Sequence, residues 1–342
     1  MPIKTWDTSG NVLFDSDAVV NGVCLGAYLI GAGTSFSKSF SLLAGATVRV
    51  MGLNGGTDLS GVTVSYPGSV PTVSATAIPV DRYVVLWATG TPTITSGAGI
   101  QAVGATDTVA LSPAARGCNY IGKAVYTNTT ASTGSPLNGG TLGSVSLRVT
   151  SPTPPVMVLG VTSGAYSRIS RGPYSLGGND WGVDVQSVAS LPTAGASSWP
   201  ALLTPDVYVF AAPSLPGAGA QAAIYDTDGT LAYDLLAGRV LTSSGPLSYP
   251  AGSGVDDYSA ALPSGISSTL CGAFGTPYYS EVRSAARSGQ YIQRTYAAAW
   301  TLIGGSLYRF RTIVFTELDI DPLTRLNESS AVVEIVDLNG LT

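Results

Sequence analysis

Acidic residues come nearest to chemistry in this sequence. Asp226 and Asp228, followed by Gly229, begin like a calcium loop, where alternate carboxylates and a tight glycine turn surround a hard cation. That loop also needs a bidentate Glu at its twelfth position, and Ala237 stands there. The related stretch near the N-terminus has Ser9 in place of Asp228, so a polar turn explains both copies better than a cation does. Asp319 and Asp321, in ELDIDP, alternate as strand neighbours on one face would, a spacing that makes cation binding or a glycosidase pair possible. Acids at the end of an exposed strand have the same spacing without any catalytic role. The chain has no histidine, which removes Ser-His-Asp and Cys-His nucleophile systems and ordinary zinc sites. Its three cysteines, Cys24, Cys118 and Cys271, are odd in number and far apart, the pattern of small buried apolar residues and not of a disulfide framework. Glycine doublets in NGG at 54–56 and 138–140 are turns, since no lysine-bearing phosphate loop follows them. No catalytic, metal or cofactor site is expected.

Aromatic residues in loop-like text are the remaining candidates. Trp181 in NDWGVD and Tyr278 and Tyr279 in TPYYSEVR lie outside the repeated segments and could offer ring faces to a sugar or to another subunit. The alternative for each is an aromatic that closes a core.

The elements that would position such residues are repeated. TWDTSGNVLFD at 5–15 returns as IYDTDGTLAYD at 224–234. In each copy a polar turn separates two apolar stretches: Asp7 to Gly10, then Asp226 to Gly229. An aspartate can cap such a turn through its side chain while the glycine accepts a positive φ, as a type I turn with a bulge demands. FSLLAGATVRV at 40–50 likewise returns as WTLIGGSLYRF at 300–310, aligning Arg49 with Arg309, and more loosely as GTLGSVSLRV, which carries Arg148. One cysteine falls in each copy, and DRYVV at 81–85 matches DVYVF at 206–210. Order is preserved throughout. Three β modules are therefore expected, 1–77, 78–203 and 204–342, the third enlarged by an insertion near 243–290.

Composition agrees with an all-β chain of tandem sandwich-like modules, with short strands and Gly/Pro-rich turns. Of 342 residues 45% are apolar and 11% charged, which excludes disorder and coiled coil. A net charge of −5 leaves no footprint for nucleic acid. Three lysines against thirteen arginines suit surfaces covered by partners, because arginine tolerates interfacial pairing. No apolar run is long enough to span a bilayer, and MPIKTWDTSG lacks the apolar core of a signal peptide, so membrane insertion is not expected and synthesis in a reducing cytoplasm is. Proline-rich SPTPPV at 151–156 must be extended, and LPTAGASSWPALLTP at 191–205 reads as a boundary.

YVFAAPSLPGAGAQAAIYDTDGTLAYD at 208–234 resembles a module found in tail-associated proteins of tailed bacteriophages, and WDTSGNVLFDS at 6–16 resembles its end, with Phe14-Asp15-Ser16 as the closing triplet. The third copy departs from it in having Asp234-Leu235, and the middle copy lacks the glycine turn. The resemblance implies a structural virion component of the distal tail, made in the host cytoplasm: a tip, baseplate or fibre-associated protein, not an enzyme, working as a homotrimer among other tail proteins. The competing expectation is a tail protein that binds a host-surface glycan or receptor.

Overall fold

A computed structural model describes residues 4–6, 12–15, 22–52, 59, 61–89, 100–103, 108–111, 117–134, 140–191, 197–212, 223–225, 231–234, 238–249, 258–275, 280–281, 296–313, 326–327 and 331–341. Among the described residues there is no α-helix, only two 3-10 turns at Ser41–Leu43 and Pro67–Ser69, and the rest of the regular structure is strand. The all-β expectation holds.

Four sheets carry the molecule. The three-stranded sheet runs β4 (Ser35–Ser39), β7 (Thr72–Thr76), β6 (Val62–Ser65). The four-stranded sheet runs β20 (Thr242–Ser243), β3 (Gly22–Ile30), β8 (Arg82–Thr89), β5 (Thr47–Gly52). Six strands form the next: β11 (Asn119–Lys123), β17 (Val207–Ala211), β14 (Val156–Thr162), β23 (Leu270–Phe274), β28 (Ala331–Val336) and β21 (Gly245–Tyr249). Seven form the last: β12 (Val125–Thr130), β13 (Ser144–Thr150), β16 (Asp180–Val188), β15 (Tyr166–Gly177), β25 (Tyr296–Ile303), β26 (Ser306–Ile313) and β22 (Tyr258–Ala261). Neighbouring strands pair antiparallel. Four two-stranded ribbons complete the set: β1 (Lys4–Trp6) with β2 (Val12–Asp15), β9 (Ile100–Val103) with β10 (Thr108–Leu111), β18 (Ala223–Tyr225) with β19 (Leu231–Asp234), and β24 (Ser280–Glu281) with β27 (Leu326–Asn327).

The sheets stack in layers, and the side-chain alternation of β8 shows why. Val84 and Leu86 enter one core with Phe40, Leu43, Val73 and Ile78, while Tyr83, Val85 and Trp87 enter another with Cys24 and Met51. A strand with both faces buried needs apolar residues at successive positions, which is what RYVVLWA supplies. The six-stranded sheet is also covered on both faces. Phe274 meets Trp87 of the four-stranded sheet at 5.7 Å between ring centroids, and Tyr249 meets Trp300 of the seven-stranded sheet at 5.0 Å. Tyr249 also donates its hydroxyl to the Leu307 carbonyl at 2.9 Å. The order of layers is thus three, four, six and seven strands.

The module boundaries drawn from the repeats do not fall between sheets. β3 and β5 pair with β8 across the 77/78 boundary, and β17 pairs with β11 and β14 across 203/204. The stretch expected as an insertion, 243–290, contributes β21 and β23 to the most buried sheet. A layer covered on both sides draws its strands from distant parts of the chain, whereas repeated words report only local likeness. That likeness is real in the hairpins. β1–β2 pairs Lys4 with Asp15, Thr5 with Phe14 and Trp6 with Val12; β18–β19 pairs Ala223 with Asp234, Ile224 with Tyr233 and Tyr225 with Leu231. Register and bulge coincide position for position. The turn residues Asp7, Gly10, Asp226 and Gly229 lie outside the described residues.

Candidate interaction surfaces

One outer layer is the seven-stranded sheet, and its three strands β13, β16 and β15 turn their polar positions outward. Asp184 lies opposite Ser146 on one side and Arg171 on the other. Its Oδ1 accepts from the Ser146 hydroxyl at 2.7 Å and from the Tyr174 hydroxyl at 3.1 Å. Burial, and next the Asp184 charge, push the Tyr174 phenol above its ordinary value, so the hydroxyl stays a donor. The Tyr174 ring lies on Gly182, where an added Cβ would come within 2.6 Å of it. Above the ring the Arg171 guanidinium stands 4.3 Å from the centroid, a cation–π contact. At the strand ends Asp180 accepts from Thr150 at 2.7 Å and pairs with Arg148; both hold its carboxyl below the usual range, Thr150 first. These carboxylates are engaged by hydroxyls and guanidinium, an arrangement that binds polar groups and holds a surface in shape. Among the described residues no three metal-ligating side chains cluster.

The edge of this sheet is the second surface. The chain leaves the six-stranded sheet along β11, bulges at Gly122 with φ of 134°, and continues as β12 at the margin of the seven-stranded sheet. Such a bend at a bulge is how one strand serves two packed sheets. Beside the crossing, Lys123 pairs with Asp206 at 2.8 Å and sits 5.0 Å from the Tyr208 ring centroid. All six residues of β12, VYTNTT, are exposed, with Val125 at 68% and Tyr126 at 52%. Among the described residues β12 pairs with β13 alone. Its other margin carries no charge and no proline, two of the usual guards of an edge strand, though the strand bulges between Tyr126 and Asn128.

A third feature is a cleft of about 220 Å³ at the end of the four-stranded sheet, where Tyr28, Leu29 and Phe36 face Thr153 and Pro154. The two rings stand 5.4 Å apart at 59°.

Trp181, expected in an exposed loop, is instead the second residue of β16, 7% exposed, with Nε1 donating to the Ser151 carbonyl at 3.0 Å. It closes a core and offers no ring face to a ligand. The loop is the preceding Gly177-Gly178 turn, whose φ values of 102° and 58° require glycine. Tyr278, Tyr279, Asp226, Asp228, Asp319 and Asp321 lie outside the described residues. All three cysteines are buried and free, and burial pushes the Cys271 thiol up to about 12.

The repeated arginines have unlike partners. Arg49 pairs with Glu334, a fully buried carboxylate that also accepts from Ser243 at 2.6 Å. Arg148 pairs with Asp180, and Arg309 lies between the rings of Tyr249 and Tyr258, at 5.6 and 5.1 Å from their centroids. Sequence reasoning missed the Asp184 cluster and the bare edge. The first becomes visible only when β15 and β16 are in register; the second has the composition of any half-buried strand. Comparison with protein-family models, with curated proteins and with solved structures finds no match.

Proposed function

We propose that this chain is a structural component of a bacteriophage tail, in the distal tail, tip or baseplate or associated with a fibre, and that it joins subunits, as a homotrimer and with other tail proteins. The observation that carries the reading is the margin of β12: six exposed, uncharged residues, five of them β-prone, ending a seven-stranded sheet. A margin with no charge or proline, unpaired among the described residues, is a template for another strand. The tail-like hairpins, formed twice in one register, favour the same reading.

Lysine in place of Thr127 and Asn128 tests it, because charge on the margin blocks strand addition while leaving the core untouched. The doubly substituted chain should melt as the parent does, yet fail to enter particles and sediment as a smaller species. Normal incorporation would contradict the role given to this edge.

A second reading, binding of a host-surface glycan or receptor, is favoured by the aromatic cleft at Tyr28 and Phe36. Saturable adsorption of the purified chain to host cells, lost on Phe36→Ala, would support it over the first.

A further inference from the structure

Two of the cysteines lie together inside the protein. The Sγ atoms of Cys24 and Cys118 are 3.9 Å apart, and the two residues are 0% and 1% exposed. Both belong to backbone that is tied to one residue: the Cys24 N–H donates to the Leu241 carbonyl at 3.3 Å, and the Leu241 N–H donates to the Cys118 carbonyl at 2.7 Å. Around Cys24 the β3–β8 ladder is irregular, with a shift in register between Cys24 and Gly26 and a φ of 117° at Gly26. Gly117 precedes Cys118. A disulfide needs its sulfurs at about 2.05 Å, so closure asks for an approach of about 2 Å shared between two side chains on backbone of this kind. The third cysteine, Cys271, belongs to β23 in the six-stranded sheet.

We propose that Cys24 and Cys118 are a latent disulfide site, closed by thiol–disulfide exchange with a small-molecule disulfide. One protein thiolate attacks a sulfur of the reagent, forming a mixed disulfide and releasing one small thiol. The second protein thiolate attacks the protein sulfur of that intermediate and releases the other small thiol. Two protein thiols are oxidised, one reagent disulfide is reduced, and the two protons leave on the released thiols. The bond spans 94 positions of sequence and ties the start of β3 to the approach to β11. Closing so long a loop restricts the unfolded chain, so the oxidised protein melts higher. Because both thiols are shielded, exchange waits on local opening of the structure and is slow under fully native conditions.

The test uses the full chain, incubated with oxidised glutathione at several sub-denaturing urea concentrations, then fully unfolded, alkylated and mapped without reduction. The expected result is a linked pair of peptides containing Cys24 and Cys118, an alkylated Cys271, and a melting temperature raised by several degrees, all but the Cys271 label reversed by a phosphine reductant. Cys271→Ser should form the same link, and Cys118→Ser should form none. Glutathione retained on Cys24 or Cys118 without a link, a link to Cys271, or both thiols still open to alkylation after unfolding would overturn the proposal.

Discussion

Glu334 shows what a single residue contributes to this layered interior. Its carboxylate is fully buried between the four- and six-stranded sheets, where Arg49 and Ser243 satisfy it. A buried ion pair adds little over an apolar pair of the same shape, but removing one partner strands the other. Glu334→Ala should therefore cost about 3 kcal/mol in chemical denaturation, and Glu334→Gln less, since the amide keeps an acceptor for Ser243. The buried thiols and phenols set the response to pH. Burial raises Cys271 to about 12 and also raises Tyr83 and Tyr249, so the folded state holds these protons more tightly than the unfolded chain. Their contribution is intact below the ordinary thiol value of about 8.5 and is lost as pH rises beyond it. Thermal melts from about pH 8 to about pH 10.5 should fall steadily, with a shallower fall in Cys271→Ala. With no histidine in the chain, melts between about pH 5.5 and about pH 7.5 should barely move.

Among the elements, the hairpins were the most legible in sequence, because a turn is decided by its own few residues. WDTSGNVLFD and IYDTDGTLAYD therefore form ribbons with the same pairing and the same bulge. Trp181 was misread for a related reason: the glycine turn before it is loop-like, and the strand resumes at Asp180. The exposure of β12 could not be read, since Val, Tyr and Thr are as common in strands with a covered face, and only the layering shows that no described sheet lies against it. Its seat can be tested at Gly143, where a Cβ would stand 2.1 Å from the Thr130 carbonyl oxygen. Backbone cannot yield there as a flexible side chain would. Gly143→Ala should loosen the β12–β13 pair, seen as faster amide exchange confined to these strands and a loss of about 2 kcal/mol.

At the scale of the whole molecule, the repeats describe local likeness more than independence of parts. β3, β5 and β8 share one sheet, and its two faces supply both cores. Deleting residues 1–77 would strip Val85 and Trp87 of their neighbours Cys24 and Met51 and remove the three-stranded layer. The truncated chain should aggregate with no cooperative melt, whereas separate modules would leave a remainder that melts sharply. The sequence showed the strands and their low charge, because both follow from composition; it could not show which strands meet, because continuous apolar runs such as VMVLGV fit any doubly covered layer. The proposed role of this layered β protein is that of building material in a phage tail. Gold-labelled antibody against the chain, imaged by electron microscopy on virus particles purified from a culture that makes it, tests this most directly. Label on the distal tail is the predicted result; label on the head, or none on the particle, would contradict it.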